Sequence, residues 1–521
     1  MTEDTGATEA TDAGAAGTAA PEHIDVLVIG AGLSAIDAAY HVQKNFPDRS
    51  YTLLEARDSL GGTWDLFRYP GIRSDSDMYT LGFPFRPWTG EKAIADGHTI
   101  LEYLRDTAAE FGIDEHIRYG HRVVRAEWST RDSLWTIEAQ RTDSGQTVRF
   151  TAGFLLCCTG YYRYDEGYTP DFPGVDRFGG TLVHPQHWPE DLDYTGKRVV
   201  VIGSGATAVT LAPSMADAAS HVSILQRSPS YIISVPARDA LATTLQERLP
   251  GGLGHRLARL KSTLVATALY QACQRFPTFM KGRIRDLQKR WLPDGYDIDT
   301  HFAPRYDPWD QRMCLVPNGD LFRAIRHGDV DMVTDRIATF TETGIALESG
   351  AELEADVVVS ATGLNLLAFG GIELVVDGDS VELSDTMAYK GMMLSGVPNF
   401  AFVVGYTNAS WTLKADLVSE YVVRLLRYMD DKGFARAVPR RDPSVDEEPF
   451  LDFAAGYVLR SVDSFPRQGS QAPWRLRMNW FRDLAALRHG SIVDAAMSFD
   501  VAPVRTEQTP HRETSATASG R

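Results

Sequence analysis

The chain has 521 residues, 44% hydrophobic and 23% charged, enough to build a sizeable soluble core over about three domains. Its 69 acidic and 52 basic residues give a net charge of -17, which argues against nucleic acid as a partner because a phosphate-binding surface needs a basic excess. Four cysteines are too few for a disulfide framework, and the adjacent pair Cys157-Cys158 is not a C-x-x-C redox motif. These features predict a protein of a reducing cytoplasm.

Both ends of the chain have the composition of disordered tails. Residues 1–22 contain no Lys or Arg and lack the apolar stretch of a secretory signal. Residues 502–521 are rich in Thr, Ser, Pro and Ala. Between the tails, apolar strands alternate with helical stretches, which predicts an α/β fold. No apolar run approaches the roughly 18 residues needed to span a bilayer.

The first ordered unit reads as a strand, a glycine turn and a helix. His23–Ile29 is an apolar, β-branched strand that leads into the turn G-A-G-L-S-A of residues 30–35. Helical character then runs from Ala35 to Phe46, and a second strand is predicted at Tyr51–Leu54. This order and length are typical of a mononucleotide-binding βαβ unit.

The residues of this turn predict a dinucleotide site. Gly30 allows the tight turn, and Gly32 lets the backbone approach a pyrophosphate at the helix N-terminus, where Ser34 adds a hydroxyl. Glu55 ends the second strand, 25 residues after the first glycine. A carboxylate at this place binds ribose hydroxyls, so strand, turn, helix and acid together are much more specific than the glycines alone.

A second unit of the same kind begins 173 residues later, which indicates an approximate duplication. The strand Arg198–Ile202 leads into the turn G-S-G-A-T-A of residues 203–208, and the following strand, Val222–Leu225, leads to Arg227 and Ser228. A guanidinium and a hydroxyl in the place of the acid suit a 2′-phosphate, which predicts NADPH rather than NADH. The alternative is a surface arginine at a strand end.

One acidic and one basic nucleotide site predict FAD and NADPH in one chain, with hydride passing from nicotinamide to flavin. The predicted fold class is α/β, with two Rossmann-like dinucleotide-binding domains and a helical insertion in the second. Further strands are predicted at Phe154–Cys158 and Val357–Ser360. The predicted domains are a first part of the FAD-binding domain at 23–170, an NADP-binding domain at 171–345 with its insertion at 236–300, and a second FAD part with the C-terminal region at 346–501.

The insertion has two interpretations. Gly251–Arg290 is helical and rich in Arg and Lys, with an apolar centre at Leu264–Cys273. It is either a packed, partly exposed helical cap or a basic amphipathic surface in weak peripheral contact with anionic lipid.

Two segments between the nucleotide units narrow the chemistry. Gly61-Gly62 is a turn near the flavin end of the predicted FAD site. The side chain of Trp64 is predicted to lie against the flavin ring. Pro70-Gly71 is a turn that presents residues 73–75. Taken on their own, His184 and Trp188 in the loop at 178–189 read as packed hinge residues.

These two segments carry a family resemblance. Residues 178–189 fit F-x-G-x-x-x-H-x-x-x-W-P, and the chain thereby resembles the Baeyer–Villiger monooxygenases, the class B flavoprotein monooxygenases. Residues 61–75 fit the companion motif G-G-x-W-x-x-x-x-Y-P-G-x-x-x-D, and residues 356–363 fit the later A-T-G element. The likeness is greatest to the ethionamide-activating branch, in the segments Arg68–Phe83, Pro308–His327, Thr386–Gly396 and Gly405–Glu420.

The resemblance implies bound FAD, with NADPH as reductant and O₂ as oxidant. It implies FAD contacts from Ser34, Glu55, Thr63, Trp64, Asp65, Leu66 and Asp75, and from the backbone of Val123 at the adenine end. The turn Arg73, Ser74 and Asp75 would also face the nicotinamide. The NADPH phosphates would contact Gly203, Ser204, Gly205, Ala206, Thr207, Ala208, Val209, Arg227 and Ser228.

The implied reaction forms a flavin peroxide that attacks a ketone and yields an ester or lactone, with oxidation of thioethers and thioamides as a second activity. Arg312, in the segment D-Q-R-M-C-L of residues 310–315, matches the family's active-site arginine, which stays charged at any working pH. Asp75 would hold it. Judged by spacing alone, the two residues would more readily form an ordinary surface ion pair.

Three other functions compete with this one. The nearest is a dedicated S- or N-oxygenating flavin monooxygenase. A disulfide reductase would need two cysteines placed at the flavin, and the cysteines of this sequence are not paired in that way. A redox sensor would bind both nucleotides without catalysis. We predict no metal site, a small-molecule ketone or sulfide as substrate, and a cytoplasmic location with the inner face of the membrane as an alternative.

Overall fold

The computed structural model describes residues 20–451 and 455–502. Most of the predicted tails, residues 1–19 and 503–521, therefore lies outside the described residues, and Glu22 already begins the first strand. The strands in chain order are β1 (Glu22–Ile29), β2 (Tyr51–Leu54), β3 (Ile117–Arg118), β4 (His121–Ser129), β5 (Leu134–Arg141), β6 (Thr147–Cys157), β7 (Tyr162–Gly167), β8 (Thr181–Val183), β9 (Arg198–Ile202), β10 (His221–Gln226), β11 (Ile232–Val235), β12 (Cys314–Pro317), β13 (Val330–Thr334), β14 (Ile337–Phe340), β15 (Gly344–Leu347), β16 (Glu352–Glu354), β17 (Val357–Ser360), β18 (Leu364–Leu366), β19 (Glu373–Val376), β20 (Asp379–Ser380), β21 (Ala388–Tyr389), β22 (Met393–Leu394), β23 (Phe400–Phe402), β24 (Phe434–Pro439), β25 (Glu447–Pro449), β26 (Arg467–Gly469) and β27 (Met497–Val501).

The α-helices connect these strands and cover the sheets. They are α1 (Leu33–Asn45), α2 (Thr63–Leu66), α3 (Met78–Leu81), α4 (Gly97–Glu110), α5 (Ala206–Met215), α6 (Ala240–Arg248), α7 (Leu253–Arg275), α8 (Pro277–Trp291), α9 (Ile298–Phe302), α10 (Asp320–His327), α11 (Thr412–Lys432), α12 (Gly456–Leu459) and α13 (Trp480–Asp483).

The first sheet forms around β1, whose apolar residues are buried on both faces, as in a parallel sheet covered by helices. Its order is β20-β19-β4-β5-β6-β1-β2-β3, and β23 also pairs with β6. Val28 of β1 lies in register with Leu53 on one side and Leu156 on the other. The first glycine turn therefore follows a central strand at its carboxyl end, where open α/β sheets bind their ligands.

The second sheet is parallel throughout, in the order β13-β10-β9-β17-β8. Here β17 pairs with β9, Val357 lying opposite Val199. The predicted limits of the two domains stay a prediction, but this pairing carries the second sheet beyond residue 345, where we expected the NADP-binding unit to end. Two Rossmann-like units in a mixed α/β fold are confirmed.

Most predicted elements differ from the structure only at their ends. The helix predicted at 35–46 begins at Leu33 and ends at Asn45. The strand predicted at 154–158 begins at Thr147, because antiparallel pairing with β5 lengthens it. The run predicted as helical over 251–290 is two helices, since Pro277 occupies the first turn of α8 and cannot continue α7.

The insertion packs against both parts of the molecule. Arg259 of α7 donates from Nη1 to the carbonyl oxygens of Tyr79, Thr80 and Gly82, at 3.1, 3.1 and 2.7 Å. This contact fixes α7 against the segment that follows Asp75. Within residues 20–451 and 455–502, no helix is both long and apolar enough to cross a membrane.

Candidate functional site

The two first glycines of the fingerprints stand in matching surroundings. Gly30 has φ +102°, and a Cβ there would lie 2.7 Å from the carbonyl oxygen of Cys158. Gly203 has φ +141°, and its Cβ would lie 2.3 Å from the carbonyl oxygen of Ala361. Both positions therefore require glycine, because the backbone approaches a neighbouring strand end and has a conformation that side chains disfavour.

The N-termini of the two helices are open. Gly32 caps α1 and Gly205 caps α5, and neither helix receives a side-chain cap. A Cβ built on Gly205 would meet no atom within 4 Å. Uncapped N–H groups at a helix N-terminus form a ready anion site, which suits the pyrophosphate predicted at each turn.

Glu55 lies beside the first of these turns. Its carboxylate accepts hydrogen bonds from the backbone N–H groups of Ala31 (2.7 Å) and Arg57 (2.9 Å). The side chain is buried, and this burial raises the pKa of Glu55. The structure thus brings the predicted ribose-binding acid to the glycine turn, close enough to order its backbone.

Ser34 is held by a residue far away in the chain. Trp411, just before α11, donates from Nε1 to Ser34 Oγ at 2.7 Å, and Tyr161 stacks on the Trp411 ring with 5.2 Å between ring centroids. From the sequence, Trp411 is marked only as part of the segment Gly405–Glu420 that carries the family likeness. No local pattern could have shown that these three residues meet.

The run Thr63–Leu66 forms the short helix α2 beside the same turn. Asp65 is almost fully buried, and Arg57, Arg68 and Arg105 approach its carboxylate at 2.5, 3.5 and 3.7 Å. Burial opposes its charge, but these arginines hold the pKa of Asp65 below its ordinary value. Asp65 is therefore engaged within the protein, which favours a role in fixing α2.

Thr63 and Trp64, in the same run, make fewer polar contacts than Asp65. Thr63 Oγ1 lies 3.5 Å from the hydroxyl of Tyr164, and Trp64 packs against the core of the first sheet. Val123 is buried on β4, next to an irregularity in its pairing with β5. The contact of the Val123 backbone with adenine stays a prediction.

The turn at 73–75 faces the second unit. Arg73 forms an ion pair with Asp320 at the start of α10, and its Nη2 is buried without a partner among the residues described. Ser74 is buried, and its Oγ accepts the backbone N–H of Ala95 at 3.1 Å. This turn therefore connects the two nucleotide units, and its place beside the nicotinamide stays a prediction.

Arg312 and Asp75 meet in the structure. Arg312 Nε lies 2.8 Å from Asp75 Oδ2, and Arg312 Nη1 donates to the carbonyl oxygen of Thr407 at 3.2 Å. The side chains are 28% and 43% exposed, so the pair is accessible from outside the protein. Burial works against the charge of Arg312, but Asp75 raises the pKa of the guanidinium further above its ordinary value.

Three tyrosines stand around this pair. The hydroxyls of Tyr161 and Tyr162 lie 3.3 Å apart, and Tyr457 interacts electrostatically with Arg312 together with them. Burial raises the pKa of each of these hydroxyls, so all three stay protonated at neutral pH. The sequence did not predict these residues as part of the site, because they come from separate segments without a motif.

In the second fingerprint, the glycine turn contacts the segment that follows β10. Ser204 Oγ lies 2.9 Å from Ser230 Oγ, and Thr207 interacts with the hydroxyl of Tyr69. Arg227 and Ser228 are exposed directly after β10. Within the described ranges Arg227 has no ion pair or side-chain hydrogen bond, so its guanidinium is available to an anion.

His184 ties the connecting loop to the second sheet. Its Nδ1 accepts the backbone N–H of Gln186 at 3.1 Å, which leaves Nε2–H to donate to the carbonyl oxygen of Gly363 at 3.2 Å. Burial lowers the pKa of His184 and favours this neutral form. The histidine of the long motif is thus hydrogen-bonded on both ring nitrogens and packed between the loop and the second sheet.

Comparisons with known proteins identify the family of this chain. The profile of the flavin-binding monooxygenase-like family matches residues 91–395, and that of the NAD(P)-binding Rossmann-like domain matches residues 28–89. The FAD-containing monooxygenase EthA of Mycobacterium tuberculosis is 58% identical over 484 residues, which cover 92% of this chain and 99% of that protein. EthA of Mycolicibacterium smegmatis is 54% identical over 480 residues, covering 92% and 97%.

Solved structures show the same fold. A steroid monooxygenase bound to NADP superposes with a TM-score of 0.71 at 24% sequence identity, covering 92% of this chain and 100% of that one. The flavoprotein monooxygenase recognised in the sequence motifs is confirmed. On its family profile and its close relatives, this chain belongs to the flavin-binding monooxygenase-like family.

Proposed function

We propose that this protein is an FAD-containing, NADPH-dependent monooxygenase that inserts one oxygen atom into ketones to give esters or lactones, and that also oxidises thioethers and thioamides. The observation that carries the proposal is the partly exposed Arg312–Asp75 pair, beside the turn that joins the two nucleotide units. The high identity to proteins named FAD-containing monooxygenases supports it.

The residues of the first unit fit FAD. The uncapped N-terminus of α1 suits a pyrophosphate, and Glu55 at the end of β2 suits the hydroxyls of a ribose. Thr63 and Trp64 on α2 would border the flavin. We assign Asp65 to holding α2 in place, because its carboxylate is occupied by arginines.

The residues of the second unit fit NADPH. The open N-terminus of α5 suits its pyrophosphate, and the exposed, unpartnered Arg227 suits the 2′-phosphate that distinguishes NADPH from NADH. Arg73, with one buried nitrogen that finds no partner in the described part of the chain, is placed to meet the nicotinamide end.

Bound FAD, once reduced by NADPH, supplies the chemistry that activates O₂. The task of this chain is to hold a fixed positive charge where negative charge develops on oxygen. Arg312 can do so because its pKa is raised and it cannot lose its proton at working pH. One such donor in a site poor in water is worth about 3 kcal/mol of transition-state stabilisation.

Asp75 and the tyrosines set the position of this charge. The 2.8 Å contact with Asp75 and the 3.2 Å bond to the Thr407 carbonyl fix the guanidinium from two directions. Tyr161, Tyr162 and Tyr457 present protonated hydroxyls and apolar rings that exclude water from one side. Asp75 also weakens the electric field of Arg312. The pair therefore holds the positive charge in a fixed position but reduces its strength.

A second candidate is a dedicated S- or N-oxygenating flavin monooxygenase. The name FAD-containing monooxygenase EthA does not specify a ketone substrate. FAD and NADPH would also serve the oxygenation of sulfur or nitrogen. The guanidinium of Arg312, held by Asp75 and by the Thr407 carbonyl, favours carbonyl oxidation, in which negative charge develops on oxygen.

We also propose the substrates and the cellular location of the protein. The substrate is a small ketone or sulfide, and O₂ is the second substrate. We place the protein in the cytoplasm, since its four cysteines are free and buried, with the helical insertion in peripheral contact with the inner face of the membrane.

Product identification tests this function. The purified protein with FAD, NADPH and O₂ is incubated with a panel of ketones and a panel of thioethers, and the products are separated and identified. We expect esters or lactones from ketones and sulfoxides from thioethers. Sulfoxides or N-oxides without any ester would establish the second candidate, and NADPH oxidation that yields hydrogen peroxide alone would contradict both.

A further inference from the structure

A single indole side chain connects the first glycine turn with the surroundings of Arg312. Trp411, the residue before α11, donates from Nε1 to Ser34 Oγ at 2.7 Å. Its ring stacks on Tyr161, which lies between β6 and β7, with 5.2 Å between the centroids and 26° between the ring planes. The side chain is partly buried and packs against both apolar cores that flank the first sheet. Trp411 therefore joins segments that are far apart in the chain.

The Trp411 ring is held in place by the chain around it. A Cβ built on Gly405 would lie 2.5 Å from Cδ2 of the ring, so the ring can lie there only beside a glycine. Directly before the ring, Ser410 Oγ lies 2.6 Å from Thr80 Oγ1, a buried contact that ties the start of α11 to α3. With its backbone fixed and its ring enclosed, the indole presents its N–H to Ser34 in one direction.

The bond from Trp411 determines what the hydroxyl of Ser34 can still do. A serine hydroxyl carries one proton and two lone pairs, whereas an indole N–H only donates. Ser34 Oγ is therefore the acceptor in this pair, and its own proton is left for a different acceptor. Ser34 is 6% exposed, and residues 20–451 and 455–502 provide no hydrogen-bond acceptor for this proton. A buried donor of this kind costs free energy unless a ligand accepts its proton.

Ser34 stands where the pyrophosphate of FAD is proposed to bind. It is the second residue of α1, and the N-terminus of this helix has no side-chain cap. The backbone N–H groups of the first helical turn and the proton of Ser34 are thus all donors at one place. Phosphate oxygens only accept hydrogen bonds, so this set of donors suits them.

We propose that Trp411 is a positioning residue for FAD: its indole N–H occupies a lone pair of Ser34 and thereby directs the Ser34 proton to the pyrophosphate of bound FAD. The inference rests on the proposed function, which places FAD at this turn. Trp411 acts through Ser34 and does not itself touch the phosphate. The stacked ring of Tyr161 keeps the indole in its place.

A purely structural role for Trp411 predicts a different result. The ring would then stabilise the protein by its burial, and the bond to Ser34 would only satisfy a buried N–H group. In that case, loss of the indole N–H and loss of the Ser34 hydroxyl would weaken FAD binding independently. Under the proposal, the N–H affects FAD binding only while the hydroxyl of Ser34 is present.

A double-mutant cycle on the FAD-loaded protein separates the two roles. Trp411→Phe keeps an apolar ring but removes the N–H, and Ser34→Ala removes the hydroxyl. Equilibrium dialysis, with released FAD measured by its fluorescence, gives the Kd for FAD of each variant. We expect Ser34→Ala to raise this Kd about 10- to 100-fold and Trp411→Phe to raise it about fivefold. The double variant should have the same Kd as Ser34→Ala alone.

Phosphorus NMR of bound FAD provides a second readout. We expect Trp411→Phe and Ser34→Ala each to shift the resonances of the pyrophosphate, because each changes the hydrogen bond that a phosphate oxygen receives. The double variant should give the spectrum of Ser34→Ala. A change in packing alone would lower the temperature of unfolding and leave these resonances in place.

Trp128→Phe is the matched control. Trp128 lies on β4 of the same sheet, is fully buried and donates from Nε1 to Thr130 Oγ1 at 3.1 Å. The substitution removes the same N–H and the same kind of bond to a hydroxyl, but away from the glycine turn. We expect the Kd for FAD and the phosphorus spectrum to stay those of the wild type.

The possible failures point to different conclusions. Independent effects of Trp411→Phe and Ser34→Ala on the Kd, or a phosphorus spectrum unchanged in Trp411→Phe, would overturn the role of Trp411 alone. A change of equal size in Trp128→Phe would do the same. If Ser34→Ala changes neither the Kd nor the spectrum, the pyrophosphate lies elsewhere and both the role of Trp411 and the placement of FAD are wrong. A wild-type protein that binds no FAD would contradict the proposed function itself.

Discussion

At the scale of single residues, the proposed chemistry of this protein depends on how the charge of Arg312 is held. Arg312 contacts a carboxylate on one side and a backbone carbonyl on the other, and three tyrosine rings border it. A lysine could supply the charge but not two directed hydrogen bonds from one planar group. The guanidinium is thus both permanent and oriented.

Replacing this arginine separates cofactor chemistry from oxygen insertion. In Arg312→Ala we expect FAD to stay bound and NADPH to be consumed, while ester formation falls by about 100-fold or more, because one charge-stabilising donor is lost. The yields of ester and of hydrogen peroxide, each measured per NADPH consumed, show how far cofactor oxidation is separated from oxygen insertion. Arg305→Ala, an exposed arginine nearby in the chain, is the control. Ester formation at a near-normal rate in Arg312→Ala would show that another group does this work.

At the scale of elements, two similar strand–turn–helix units are distinguished by the residue that follows their second strand. In the first unit, Glu55 accepts two backbone N–H groups and is buried. In the second, Arg227 is exposed without a partner in the described part of the chain. The strand–turn–helix arrangement is common to both units, so we expect the preference for a nucleotide to come from this one side chain and its surroundings.

Arg227→Ala should therefore change the choice of nicotinamide cofactor. Loss of a charge-assisted contact to the 2′-phosphate should raise the KM for NADPH by about 10- to 100-fold and leave that for NADH nearly unchanged. Steady-state rates of FAD reduction with each cofactor measure this. Arg336→Ala, another exposed arginine of the second unit, serves as control. A parallel rise for NADH would assign Arg227 to structure.

At the scale of the whole molecule, a buried cluster of charged side chains joins α1, the helix after the first glycine turn, to α11. Asp37 of α1 is fully buried and accepts the hydroxyl of Ser419 at 2.7 Å, while His41 lies 3.1 Å from Asp416 of α11. Arg259 of the insertion and Arg488 face the same cluster. Burial raises the pKa of Asp37 to about 7, although His41 works in the other direction.

This shift makes the stability of the protein depend on pH. The ordinary pKa of an aspartate is about 3.9, so between pH 4 and 7 the native state holds a proton that the unfolded chain releases. The free energy of unfolding therefore falls as pH rises through this range, by up to about 1.4 kcal/mol per pH unit. Asparagine resembles the protonated carboxyl, so Asp37→Asn should lose this fall. The stability of the variant, measured relative to wild type at the same pH, should therefore be greater at pH 8 than at pH 5.

Thermal unfolding of wild type and Asp37→Asn at the two pH values measures the effect. Asp48→Asn, at an exposed aspartate three residues beyond the end of α1, should follow the wild type. A variant that loses more stability at pH 8 than at pH 5 would show that Asp37 is charged in the native state.

The sequence by itself determined the two nucleotide units, their cofactor classes and the family, because these depend on local patterns: apolar strands, glycines at fixed spacing and the residue that ends the next strand. Only the tertiary structure decided that Trp411 reaches Ser34, that Tyr161, Tyr162 and Tyr457 surround Arg312, and that β17 joins the second sheet. It also showed that the leucines of α7 face outward. Each of these depends on segments that are distant in the chain, and the contacts between them are set by packing and topology rather than by local periodicity.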